Sequence, residues 1–191
     1  MFTLFEPSDE RIENFLAAQK DLPFSYKEVG ASKEKIPSGY PINHCRIRLG
    51  SGANAFARAK EAIENWTMYR LEWTRLYPAD APIAEGKAVC IIVNHGFCWS
   101  LNPCRIIYVL KESGETEKHG FAFGTLPGHS EEGEERFTVE RHLADDSVWY
   151  ELLAFARPHH IFAKIGFPFV RSFQRKFAED SGRAMLEAVK G

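Results

Sequence analysis

The sequence predicts an α+β fold: an antiparallel sheet of about seven strands covered by a long C-terminal helix, with one further helix in front of the sheet. Three observations carry this. Between residues 43 and 156, short stretches of alternating apolar and polar residues are separated by turn-forming clusters, the pattern of strands with one buried face. From His159 onward the spacing changes to three and four. Phe162, Ile165, Phe169, Phe173 and Phe177 share one helical stripe, while Arg171, Arg175, Glu179 and Arg183 take other faces. An antiparallel sheet with one apolar face also needs a cover, which the phenylalanine stripe supplies.

Each element has a local cause. Ser8 can cap a first helix with Asp9 and Glu10 in its first turn and Ile12, Phe15 and Leu16 on its apolar face; Pro23 bounds it. Residues 24–43 hold Gly30, Pro37, Gly39 and Pro41 and read as an ordered loop. Cys45, Ile47 and Leu49 alternate with His44, Arg46 and Arg48 in a first strand. Gly50-Ser51-Gly52 ends it and opens a helix over residues 53–66, with Phe56, Ala59 and Ile63 on its stripe. That glycine turn lacks the Lys-Ser/Thr of a P-loop and the third glycine of a dinucleotide fingerprint, so it is a tight turn. Six strands follow, over residues 67–77, 87–94, 104–111, 118–125, 134–142 and 147–156. Glu112-Ser113-Gly114 and Ala144-Asp145-Asp146 serve as hairpin connections, and Trp99 in FCWSLNP reads as a loop aromatic. Pro168 kinks or restarts the last helix. The whole chain, 1–191, reads as one domain: residues 1–42 a helix and loop, 43–156 the sheet with one inserted helix, 158–190 the C-terminal helix.

Composition narrows the function. The net charge is -2, so no basic footprint speaks for nucleic acid. No apolar run approaches the roughly 20 residues that span a bilayer. The start, MFTLFEPSDER, turns acidic too early for a signal peptide. Cys45, Cys90, Cys98 and Cys104 form no CxxC pair, so they are expected to be reduced thiols in a cytoplasmic protein. Fifteen phenylalanines are many for 191 residues and point to a bulky core or an aromatic-lined cavity.

The order of strand, helix, six strands and long amphipathic helix resembles the helix-grip fold of the START lipid-transfer domains and of the major birch-pollen allergen. In that fold a curved sheet grips the C-terminal helix around a cavity. Three stretches go further: PSGYPINHCRIRLGSGANAFARAKEAIENW, FAFGTLPGHSEEGEERF and FARPHHIFAKIGFPFVRSFQRKF. Together they resemble the domain-of-unknown-function family DUF1990, also called UPF0548. That resemblance implies a fold and brings no catalytic residues with it.

The stretch GTLPGHSEEGEERF supplies the candidate site. Pro127-Gly128 predicts a type II turn, and Glu131 and Glu132 read as solvated. In the strand that follows, Glu135, Phe137 and Val139 share one face, so Glu135 points inward if the two apolar residues do. An inward carboxylate needs a partner or a wet pocket. Arg75, on the apparent inner face with Tyr69, Leu71 and Trp73, could supply one, as could His129 or Arg157; bonding to the turn amides is the plainer alternative. A metal assembled from His95, Cys98, Cys104 and His129 has no familiar ligand spacing, and neither metal nor cofactor is expected. The expectation is a small apolar or amphipathic ligand between sheet and long helix, lined by Tyr69, Trp73, Tyr108, Phe121, Phe123, Phe137 and Tyr150, with Arg75 and Glu135 as polar anchors. The alternatives are an enzyme of cyclase or hydratase type using Glu135 or His129 as acid or base, and an interaction module with a filled core.

Overall fold

In a computed structural model describing residues 1–158 and 167–190, the alternating stretches pair into one curled antiparallel sheet. Its strands are β1 (Phe2–Thr3), β2 (Ile42–Ser51), β3 (Thr74–Tyr77), β4 (Ala88–Asn94), β5 (Trp99–Glu112), β6 (Thr116–Thr125), β7 (Glu131–His142) and β8 (Ser147–Pro158). Seven of them run in the order β2-β8-β7-β6-β5-β4-β3, and β1 pairs with β5. The described residues also form helices α1 (Asp9–Gln19), α2 (Ala53–Glu64) and α3 (Phe167–Lys190). Ser8 caps α1 as expected, its hydroxyl accepting the Arg11 amide at 3.3 Å.

The concave face carries the main core. Val89 and Ile91 from β4, Phe121 and Phe123 from β6, Phe137 and Val139 from β7, and Tyr150 and Leu152 from β8 pack there against Phe56, Ala59 and Ile63 of α2 and Met185 and Val189 of α3. Of the phenylalanine stripe, Phe177 stacks on Tyr69 with centroids 4.8 Å apart and meets Phe137 edge-on, so α3 faces the concave side. Phe162 and Ile165, and the side chain of Phe169, lie outside the described residues. The convex face has two smaller cores: Ile12 and Leu16 of α1 against Cys90, Ile92 and Leu101, and Tyr26 and Tyr40 of the residue 24–43 loop against Phe155.

Three local departures from simple alternation matter for the site. The strand expected over residues 67–77 is only Thr74–Tyr77: Trp66 takes a left-handed conformation at φ 54° and a 3-10 turn over Thr67–Tyr69 follows. Its alternation therefore restarts, with Thr74 and Leu76 inward and Arg75 outward. Next, β5 begins at Trp99, so Trp99 and Pro103 belong to a strand and not to a loop. A bulge between Ile106 and Tyr108 then shifts the phase within β5: Ile106 faces inward with Phe123, while Tyr108 pairs with Ala122 and faces outward.

The GTLPGH turn also departs from its expected type. The His129 amide closes it onto the Leu126 carbonyl at 2.9 Å, but Gly128 does not have the positive φ of a type II turn. Glycine is required there for room. A Cβ would lie 2.6 Å from the Phe15 ring of α1, and the Gly128 amide donates to the Gln19 side chain at 2.7 Å. Gly128→Val should therefore destabilise the fold by about 1–3 kcal/mol through overpacking between turn and α1. A denaturant titration showing no loss would mean α1 does not rest on this turn. Gly133 is held by a second close approach, since a Cβ there would lie 2.0 Å from the Phe155 carbonyl oxygen.

Candidate functional site

The concave core is not filled. Toward the end of the sheet where β4 turns into β5, a cavity of about 490 Å³ opens between sheet and α3. Its floor is built by inward positions of successive strands: Ile91 and Val93 of β4, Cys104 of β5, Phe123 of β6, Glu135 of β7 and Ala154 of β8. Tyr69 and Trp73 form one wall, and Phe173 and Phe177 of α3 lie across it. Phe2 and Phe97 border the cavity while standing 58% and 79% exposed, so they mark its mouth.

Glu135 is the central polar group. Strand register sets Phe123 on one side of it and Ala154 on the other. The Tyr69 hydroxyl donates to its Oε2 at 2.9 Å. Protein surrounds the carboxylate apart from the cavity it faces, and this desolvation pushes its pKa up to about 7; the Tyr69 bond opposes the rise and nearby Glu131 adds to it. None of the cationic partners expected for it arrives. Arg75 lies on the convex face and pairs with Asp9 at 2.7 Å. Arg157 pairs with Glu132 and sits over the Tyr40 ring. His129 borders the cavity, but its Nδ1 accepts the Glu131 amide at 2.9 Å.

The nine residues expected to line a ligand site thus fall into three groups. Tyr69, Trp73, Phe123 and Glu135 border the cavity. Phe121, Phe137 and Tyr150 are fully buried in the packed core beneath α2 and α3, with the Tyr150 hydroxyl bonded to Ser181 at 2.7 Å. Arg75 and Tyr108 are corrected to the opposite face, for the two phase changes described above. Tyr108 bonds there to Ser32 at 2.6 Å.

One wall of the cavity is polar. His95 Nε2 and Ser100 Oγ are 2.9 Å apart, the Asn102 amide donates to Ser100 at 2.8 Å, and Ser130 donates to Asn102 at 3.1 Å. All four border the cavity, and burial lowers the His95 pKa. The available signal was the alternation Ser100, Asn102, Cys104, Ile106, masked by reading FCWSLNP as a loop. All four cysteines are free, and burial raises each thiol pKa, Cys90 to about 12, which leaves them weak nucleophiles. Among the described residues no three His, Cys, Asp or Glu side chains come together as metal ligands, although His95, Cys98, Cys104 and His129 all border the cavity. No helix of the described residues is long and apolar enough to cross a membrane.

A curled antiparallel sheet, a long C-terminal helix laid across its concave side and a cavity between them define a helix-grip fold. Solved structures share the fold. TTHA0849 from Thermus thermophilus superposes with a TM-score of 0.53 at 13% identity, over 78% of this chain and 97% of that one. Human STARD10 gives 0.51 at 10% identity, over 97% of this chain and 81% of that one. Within this fold the chain belongs to the family described as Domain of unknown function (DUF1990), which it matches over residues 25–184. A UPF0548 protein of Dictyostelium discoideum is 33% identical over 208 residues, covering 99% of this chain and 96% of the relative. One of Arabidopsis thaliana is 32% identical over 197 residues, covering 96% and 95%.

Proposed function

We propose that the protein binds a small, largely apolar ligand in the cavity between its sheet and α3. The observation that carries this is an open volume of about 490 Å³, aromatic and aliphatic on most sides, in a domain whose remaining core is closely packed. Folded interiors ordinarily leave few voids larger than a water, and ligand pockets run from about 300 to 1,000 Å³. A filled-core interaction module gives no account of that space. The mouth beside Phe2 and Phe97 supplies a route in.

Glu135 favours one second reading. A carboxylate titrating near neutrality beside a tyrosine hydroxyl is suited to general acid or base work on a bound ligand. Binding precedes any such step, so the test of binding comes first. Native mass spectrometry of freshly purified protein should show a population carrying a small molecule that leaves on collisional activation. Ala154→Phe, which fills the floor beside Glu135, should remove that population while the protein stays folded. A bare mass under gentle conditions, in protein taken from its own cells, would contradict the proposal.

A further inference from the structure

We infer that the cavity's ligand is a cationic amphiphile: an aromatic or aliphatic body carrying a protonated amine that pairs with Glu135. This rests on the ligand-binding reading above and names the chemical class. The carboxylate stands on the cavity floor between Phe123 and Ala154, and the Tyr69 hydroxyl is its one hydrogen-bond partner among the described residues. The Tyr69 bond occupies one oxygen, leaving the other available to a donor in the cavity. No lysine or arginine is found among the described residues lining the space.

Three other shielded carboxylates among the described residues are provided for. Glu134 accepts the Tyr26 hydroxyl and the Gly30 and Ser32 amides; Glu151 takes Arg136 and His44; Glu140 takes Arg46. Among these, Glu135 alone has a single neutral donor and nothing more. The walls around it suit a cation as well. The rings of Tyr69, Trp73, Phe123, Phe173 and Phe177 border the cavity, and aromatic faces attract ammonium groups most when water is excluded. An alkylammonium would convert an unfavourable, poorly solvated anion into a charge-assisted hydrogen bond.

The groups that titrate around Glu135 are Tyr69 from the 3-10 turn, Glu131 from its own strand, Cys104 from β5 and Tyr150 from β8. His95 and His129 stand elsewhere on the wall. Asp180 of α3 is engaged by Trp73 and Lys176. Burial holds the tyrosines and Cys104 protonated well above neutrality, so the pH response near 7 belongs chiefly to Glu135.

Calorimetric titration with naphthylethylamine and its isosteric alcohol, naphthylethanol, between pH 5.5 and 8.5 tests this. At pH 8 the ammonium should bind about tenfold or more tightly than the alcohol. Its affinity should fall by about tenfold for each unit below pH 7, as Glu135 takes up a proton, while the alcohol's stays flat. In Glu135→Gln the preference and its pH dependence should both disappear. An alcohol bound as tightly as the amine, or an amine preference that survives Glu135→Gln, overturns the cationic class and leaves the apolar-ligand reading standing. If neither compound binds, both fall together.

Discussion

Replacing Glu135 by glutamine should stabilise the unliganded protein by up to about 3 kcal/mol at pH 8, and by much less at pH 5. The cause is the carboxylate's position. Half-buried on the cavity floor between Phe123 and Ala154, with Glu131 nearby and a single tyrosine hydroxyl in support, it gives up its proton only near pH 7, whereas the unfolded chain releases it near 4.5. Between those values the folded state holds a proton that the unfolded state has lost, so stability declines as pH rises. Each unit costs about 1.4 kcal/mol, and the loss is complete above pH 7. Glutamine keeps the acceptor for Tyr69 and carries no charge to desolvate. All other titrating groups are common to both proteins, so the difference between their urea-unfolding free energies isolates residue 135. A difference that stays constant from pH 5 to pH 8 would show that Glu135 is hydrated and not set in an apolar cavity. Stabilisation on removing a charged group is the usual mark of a residue kept for function at a cost to the fold.

Its neighbour should behave in the opposite way. Glu134→Ala should destabilise the protein by about 3–5 kcal/mol, because it leaves buried donors without an acceptor. The Glu134 carboxylate accepts the Tyr26 hydroxyl at 2.8 Å, the Gly30 amide at 2.8 Å and the Ser32 amide at 3.0 Å, and also bonds the Ser32 hydroxyl. It is 2% exposed. Through these bonds one strand residue holds the loop between α1 and β2 against the convex face. The loss should appear in the denaturant midpoint and, under native conditions, as faster proteolysis between residues 24 and 40. Glutamine should restore less than half of it, since its amide group turns a donor toward other donors. A loss below about 1 kcal/mol would mean the loop is held by Tyr26, Tyr40 and Phe155 packing instead.

These adjacent glutamates show what the sequence makes legible and what it does not. Alternation through Glu135, Phe137 and Val139 is enough to turn Glu135 inward, and the structure puts it on the cavity floor. The role of Glu134 was hidden because its partners lie about a hundred residues away, in a loop whose path follows no periodic rule. The fold was readable because β6, β7 and β8 keep an unbroken period and α3 keeps a regular stripe. Tyr108 and Arg75 were misplaced for one physical reason: a bulge or an irregular turn inverts every later side chain, and neither the residue 106–108 bulge nor the Trp66 turn has a distinctive composition. Pro103 hid the start of β5, because a residue without an amide proton argues against a strand interior. With that start went Ser100 and Asn102, and so the polar wall of the cavity.

A binding site between sheet and α3 should take up the uncharged fluorophore N-phenylnaphthylamine, whose emission rises in apolar surroundings. The wild-type protein should give a saturable rise with one probe per chain, and Ala154→Phe, unfolding at a similar temperature, should give none. An unsaturable signal, or the same curve from both proteins, would mean that the space binds nothing.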